Sequence, residues 1–89
     1  MNSIIVYYSK DFKRDWDKLP EEIKCSAVGK EKIFKQNPFH PSLKIHQLKG
    51  RLKGLWSIHV NMQYRIILQF EEDCVIFIAI GTHGIYDRF

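Results

Sequence analysis

Leu55-Trp56-Ser57-Ile58-His59-Val60-Asn61-Met62-Gln63-Tyr64-Arg65-Ile66-Ile67-Leu68-Gln69-Phe70 decides the fold. Two runs rich in β-branched and aromatic residues flank the short polar connector 61–63, the pattern of an antiparallel hairpin. With Val60 opposite Tyr64, Ile58 faces Ile66 and Trp56 faces Leu68, so the large apolar residues join one buried face. Ser57, His59, Arg65 and Gln69 then occupy the other face. A slip of one residue would drive His59 or Arg65 into the core, which selects this register. The loop 61–63 contains no glycine, and Asn61 is the residue expected to tolerate unusual backbone angles there.

Outward from the hairpin, Cys74 to Ile80 reads as a third strand, apolar on both faces as in a strand covered on both sides or central in a sheet. At the other end, Ile4 to Tyr8 reads as an opening strand. Ser9 is placed to cap a helix from Lys10 to Lys18, with Phe12, Trp16 and Leu19 on one stripe. Pro20, Glu21 and Glu22 suit the first turn of a second helix that runs to Gln36 before Asn37-Pro38 stops it. Its apolar face is Ile23, Ala27, Ile33 and Phe34; Lys30 lies in the same stripe and must snorkel or point toward a ligand. Tyr7, Tyr8, Phe12, Trp16 and Phe34 sit at helix or strand spacing and are expected in the core. Between Pro38 and Gly54, prolines and glycines punctuate a run that carries Lys44, Lys49, Arg51 and Lys53, an exposed basic loop with room for a short strand around 43–48. These elements predict an α+β domain: two N-terminal helices on one face of a small, mainly antiparallel sheet of about four strands.

The chain has 89 residues, 45% hydrophobic and 27% charged, the composition of one ordinary globular domain spanning 1–89. No apolar run approaches the roughly 20 residues of a membrane span, and the start Met1-Asn2-Ser3-Ile4 lacks the pattern of a signal peptide. A cytoplasmic protein without membrane contact is expected. The net charge of +4 favours a polyanionic partner, nucleic acid or an acidic protein, without choosing between them. Cys25 and Cys74 have no close spacing and each has apolar neighbours, so two reduced, buried thiols are expected.

In the proposed register His59 and Arg65 are direct cross-strand neighbours. An imidazole beside a planar cationic fork suits chemistry on a phosphodiester; two solvated sheet residues are the plainer reading. His46 precedes the basic loop, and His83 follows the last strand in Gly81-Thr82-His83-Gly84, where glycines on either side suggest a sharp turn with an unobstructed side chain. Tyr86, Asp87 and Arg88 come next. Cleavage of RNA without metal needs a base for the 2'-hydroxyl, an acid for the leaving 5' oxygen and cations for the phosphorane charge. His46, His59, His83 and Arg65 could supply all of these. The histidine spacings do not match the close ligand pairs of a zinc site, so neither metal nor cofactor is expected. Lys44, Lys49, Arg51 and Lys53, with Gln63 at the hairpin tip, are candidates for contact with the RNA backbone, or simply solvated loop residues.

The pattern His46-x-Leu48-x-Gly50-x-x-Lys53-Gly54-x-x-x-x-His59-Val60, followed by Gly81-Thr82-His83, resembles the RelE/ParE superfamily of bacterial toxins, and within it the YafQ-like mRNA interferases. The resemblance implies a toxin of a type II toxin–antitoxin system that cuts mRNA on the ribosome and is neutralised by a cognate antitoxin in a hetero-oligomeric complex. It carries His46, His59 and His83 over as the histidines of the site. Gln63 stands where the YafQ-like pattern has an acidic residue, Tyr64 where it has an indole, and Asp87 where it has a phenylalanine. Tyr64-Arg65-Ile66 is similar instead to the corresponding strand of RelE- and HigB-like toxins, which implies that Arg65 contacts the scissile phosphate, and Tyr86 fits the aromatic near the end of many relatives. The resemblance thus implies a hybrid site in which His83 leads proton transfer, His59 and His46 assist, and Arg65 stabilises transition-state charge. The same fold also serves ParE-like toxins that inhibit DNA gyrase without catalysis, and could serve an inactive antitoxin-binding relic.

Overall fold

The computed structural model describes residues 3–89; Met1 and Asn2 lie outside the described residues. The elements run β1 (Val6–Tyr8), α1 (Lys10–Asp17), α2 (Glu21–Gln36), β2 (His46–Gln47), β3 (Trp56–His59), β4 (Arg65–Phe70) and β5 (Val75–Gly81). Short 3-10 segments at Pro41–Leu43, Gly50–Leu52 and His83–Arg88 interrupt or follow them. The α+β class holds, with one strand more than expected: the sheet has five, in the order β1-β5-β4-β3-β2. The fifth is β2, two residues paired antiparallel with β3, inside the basic loop and within the stretch 43–48 where a short strand had room. β1 joins parallel to β5, so the sheet is mixed and its parallel pair is formed by the strands most distant in sequence.

The hairpin register is as expected: Trp56 pairs with Leu68, Ile58 with Ile66 and His59 with Arg65, while the Val60 amide donates to the Tyr64 carbonyl at 2.9 Å. The turn works differently from the expectation. Asn61 has no left-handed backbone; among non-glycine described residues only Lys44 does. Its side-chain oxygen instead accepts from the amides of Gln63 at 2.8 Å and Tyr64 at 2.7 Å, satisfying the tip of a loop that has no glycine.

α1 begins where Ser9 caps it, its hydroxyl accepting from the Phe12 amide at 3.0 Å. That hydroxyl also donates to the Ile78 carbonyl at 2.7 Å, and the Ser9 amide donates to Phe77 at 3.0 Å. β1 pairs with β5 only as far as Phe77. Beyond that point groups from Ser9 and α1 take over the backbone of β5, ending with Asp15, whose carboxylate accepts from the Ile80 amide at 3.1 Å. The shift in β4–β5 pairing between Ile67 and Leu68 marks a bulge at the same level of β5.

Helices and sheet enclose one main core: Phe12, Ile23, Ala27 and Phe34 from the helices against Ile58, Ile66, Leu68, Val75, Phe77 and Ile80. Phe34 meets Phe77 edge to face at 5.4 Å. Lys30 does snorkel: its ammonium donates to the Ser42 carbonyl at 3.3 Å and ties α2 to the 3-10 segment at Pro41–Leu43.

Several burial expectations are corrected. Tyr7 and Tyr8 are 58% and 37% exposed rather than core, because β1 is an edge strand, and Tyr8 donates its hydroxyl to Glu31 on α2. Cys25 lies on the exposed side of α2, while Cys74 is half-buried at the start of β5, so neither is the buried thiol expected from its neighbours; both are free. On the second face of the sheet, Ser57 is fully buried rather than open to solvent. The cause is a cover formed by the two later 3-10 segments, whose Leu52 and Ile85 are buried together with Ile67 and Ala79 of the strands. Among the described residues no helix is long and apolar enough to cross a membrane.

Candidate functional site

The second sheet face carries the candidate residues. His59 and Arg65 are paired across β3 and β4. His46 enters from β2 as the partner of Ser57, two residues before His59, and the rings of His46 and His59 stand 6.3 Å apart at 74°. The His46 Nδ1 lies 3.3 Å from the Lys44 carbonyl. A carbonyl can only accept, so in this contact Nδ1 is the donor and Nε2 is left facing away from it.

Arg65 is pre-positioned. Its Nη1 donates to the carbonyls of Asn61 at 2.9 Å and Tyr64 at 3.2 Å. The hairpin tip thus aims the guanidinium, while its other donors have no hydrogen-bond partner among the described residues. The His59 imidazole is held below its ordinary pKa of 6.5, first by burial, then by the positive charges of Arg65, Lys44, His46 and Lys30. It is therefore neutral at neutral pH, an acceptor surrounded by cations.

His83 and Tyr86 arrive from the C-terminal 3-10 segment. The chain turns into its last 3-10 segment at His83, whose side chain is exposed, though neither Gly81 nor Gly84 has a left-handed backbone. Gly81 is needed for space, since a Cβ there would lie 2.6 Å from Ile85 Cγ2. Ile85 settles on that gap beside Arg65, which is the cross-strand partner of Gly81. Tyr86 then reaches inward, its hydroxyl 2.7 Å from the Ser57 hydroxyl, and the rings of His83 and Tyr86 meet edge to face at 5.2 Å. Ser57, the strand partner of His46 and the hydroxyl partner of Tyr86, thus joins these two residues on the strand that also carries His59, the partner of Arg65, and His83 reaches the group through Tyr86. Ser57 was visible in the sequence only as one of four polar residues on that side of the hairpin.

The remaining candidates divide. Arg51 is committed to the protein: it donates to the Tyr86 carbonyl at 3.3 Å and stands 3.8 Å from the Asp87 carboxylate. Lys44, Lys49 and Lys53 are exposed along the rim, and Gln63 is exposed at the hairpin tip. The fourth histidine, His40, has a local role, its Nδ1 accepting from the Ser42 amide at 3.1 Å to cap a 3-10 turn. Among the described residues, no three His, Cys, Asp or Glu side chains gather closely enough to hold a metal ion.

A family model described as the RelE-like toxin of type II toxin–antitoxin system HigB matches residues 28–83. That stretch contains His46, His59, Arg65 and His83 and stops short of Tyr86. Among solved structures, the E. coli DinJ–YafQ toxin–antitoxin complex includes a chain 20% identical, with 93% of this chain and 96% of that one covered and a TM-score of 0.76. The RelBE2 toxin–antitoxin complex from Mycobacterium tuberculosis gives 19% identity over 91% and 99% at TM-score 0.76. The YoeB/ParE toxin from Agrobacterium tumefaciens gives 16% identity over 90% and 99% at TM-score 0.75. At these identities the likeness speaks for the fold alone. No curated protein matches the chain. With more than half of its length under the family model, the chain belongs to the HigB-like family of RelE-like toxins of type II toxin–antitoxin systems.

Proposed function

We propose that this toxin is a ribosome-dependent endoribonuclease that cuts mRNA by acid–base chemistry of its own side chains. The observation that carries the reading is His59 paired with Arg65 and facing His46, with Tyr86 bonded to Ser57 on the same strand and His83 against Tyr86. His59 takes the proton of the 2'-hydroxyl as its oxygen attacks phosphorus. Arg65 stabilises the charge that builds on the non-bridging oxygens. As the bond from phosphorus to the 5' oxygen breaks, His83 protonates that oxygen. The products are a 2',3'-cyclic phosphate and a free 5'-hydroxyl. His46 and Tyr86 contact the phosphate, and the exposed Lys44, Lys49 and Lys53 draw in the backbone on either side. Gln63 has no titrating group, so proton transfer falls to the histidines.

A cognate antitoxin is the second partner, as in the DinJ–YafQ and RelBE2 complexes. An acidic segment that covers the same basic face would exclude RNA. Purified toxin added to programmed ribosomes is expected to cut the message, and His83→Ala to abolish cutting while the variant stays folded. Intact message with wild-type protein would refute the reading, and inhibition of gyrase supercoiling in the same preparation would point to the non-catalytic alternative.

A further inference from the structure

We infer that Asp15, on α1 and away from the reacting face, is a positioning residue that holds His83 and Tyr86 over the sheet. The inference rests on the ribonuclease reading for its catalytic consequence, not for its geometry. Residues 82–88, beyond β5, carry two of the proposed site groups, yet their only regular structure is the 3-10 segment His83–Arg88, which is weak by itself. Asp15 closes both ends of that stretch. One carboxylate oxygen accepts from the Ile80 amide at 3.1 Å, just before the tail leaves β5. The carboxylate also receives a two-pronged bond from Arg88 at the far end, with distances of 2.9 and 2.7 Å. His83 and Tyr86 lie between the two points.

An ordinary surface ion pair would contribute little. This one differs in that the Asp15 side chain is only 13% exposed, and Arg88 meets it with a planar fork suited to a carboxylate. The remaining attachments of the tail are separate: Ile85 over Gly81, Arg51 to the Tyr86 carbonyl, and Tyr86 to Ser57. Loss of Asp15 therefore loosens the segment without exposing the main core. No part of the family match reports the pair, since both Asp15 and Arg88 lie outside residues 28–83.

Asp15→Ala and Asp15→Asn would be compared with wild type and with Asp17→Ala, an exposed carboxylate on the same helix. Backbone hydrogen exchange is read by mass spectrometry, and cleavage on programmed ribosomes is read as kcat and KM. In Asp15→Ala, exchange over residues 82–88 is expected to rise at least tenfold while β3 to β5 keep their protection. A displacement on the order of 1 Å costs about a hundredfold in rate, so kcat is expected to fall on that scale with KM within about threefold. Asp15→Asn, which keeps one acceptor oxygen for the Ile80 amide and one prong of Arg88 but turns a donor toward the other prong, should fall between, and Asp17→Ala should match wild type. Unchanged exchange over 82–88 would overturn the clamp. Raised exchange with unchanged kcat would overturn its role in positioning. If wild-type protein leaves message intact, the ribonuclease reading fails, and the exchange comparison still decides whether Asp15 holds the segment.

Discussion

Replacing Gly81 by Ala inserts a methyl group where β5 hands over to the tail. The new Cβ would stand 2.6 Å from Ile85 Cγ2, well inside van der Waals contact. That atom is on a β-branched side chain with restricted χ1 and cannot simply swing aside. Overpacking of this kind costs about 1–3 kcal/mol, offset by about 0.4–1 kcal/mol because alanine restricts the unfolded chain more than glycine does. The net loss is about 0–2.6 kcal/mol, with a midpoint of about 1.3 kcal/mol that in a domain of this size lowers Tm by roughly 5–10 °C. Activity should fall further than stability, since the segment that yields also carries Tyr86 and His83. Ile85→Ala opens the contact, so the double variant should be more stable than the sum of the two single effects predicts, by about 1 kcal/mol or more. Strict additivity, or a rise in Tm for Gly81→Ala alone, would show that Ile85 does not rest on this gap.

The acid limb of the cleavage profile is expected below the ordinary imidazole range, because burial and then neighbouring cations lower His59. The same shift means that the folded state binds fewer protons than the unfolded one. Its contribution to stability is therefore complete above about pH 6.5 and is lost as pH falls toward the folded value. Lys44→Gln should move the limb upward, and added salt should shrink that difference; an unmoved midpoint would remove Lys44 from the account. Ser57→Ala breaks the bond to Tyr86 inside a buried setting and should cost about 1–3 kcal/mol; if Ser57 acts only through Tyr86, then with Tyr86→Phe already present it should cause little further loss of cleavage. Asn61→Ala removes the acceptor of two turn amides and should cost about 1–2 kcal/mol in chemical denaturation, with wild-type stability counting against the side-chain turn.

The hairpin was legible because period-two alternation leaves one register that spares His59 and Arg65 from the core. The helices were legible from Ser9, Pro20 and Asn37-Pro38, which start or stop them by local geometry. What could not be read depends on distant pairing. β2, within the stretch 43–48 where a short strand had room, has only two residues, too few for its pairing with β3 to be read, and Tyr7 and Tyr8 look like core until β1 is known to be an edge. The three histidines and Arg65 could be listed from sequence, but Ser57 becomes buried only because a tail folds over it. Asp15 had no signal at all: its partners, Ile80 and Arg88, are 65 and 73 residues away.

The parallel union of β1 with β5 has a consequence for the order in which the molecule is made. β5 lies between β1 and β4, and it is synthesised after every other strand, so β1 has no partner in the sheet until residues 75–81 appear. Chains fold from their first residues while still being translated, yet here neither the full sheet nor the tail that carries His83 and Tyr86 can close early. The strand that ties β1 to the rest of the sheet and the segment that carries His83 and Tyr86 are therefore the last parts of the molecule to fall into place, and sheet and candidate site are completed together.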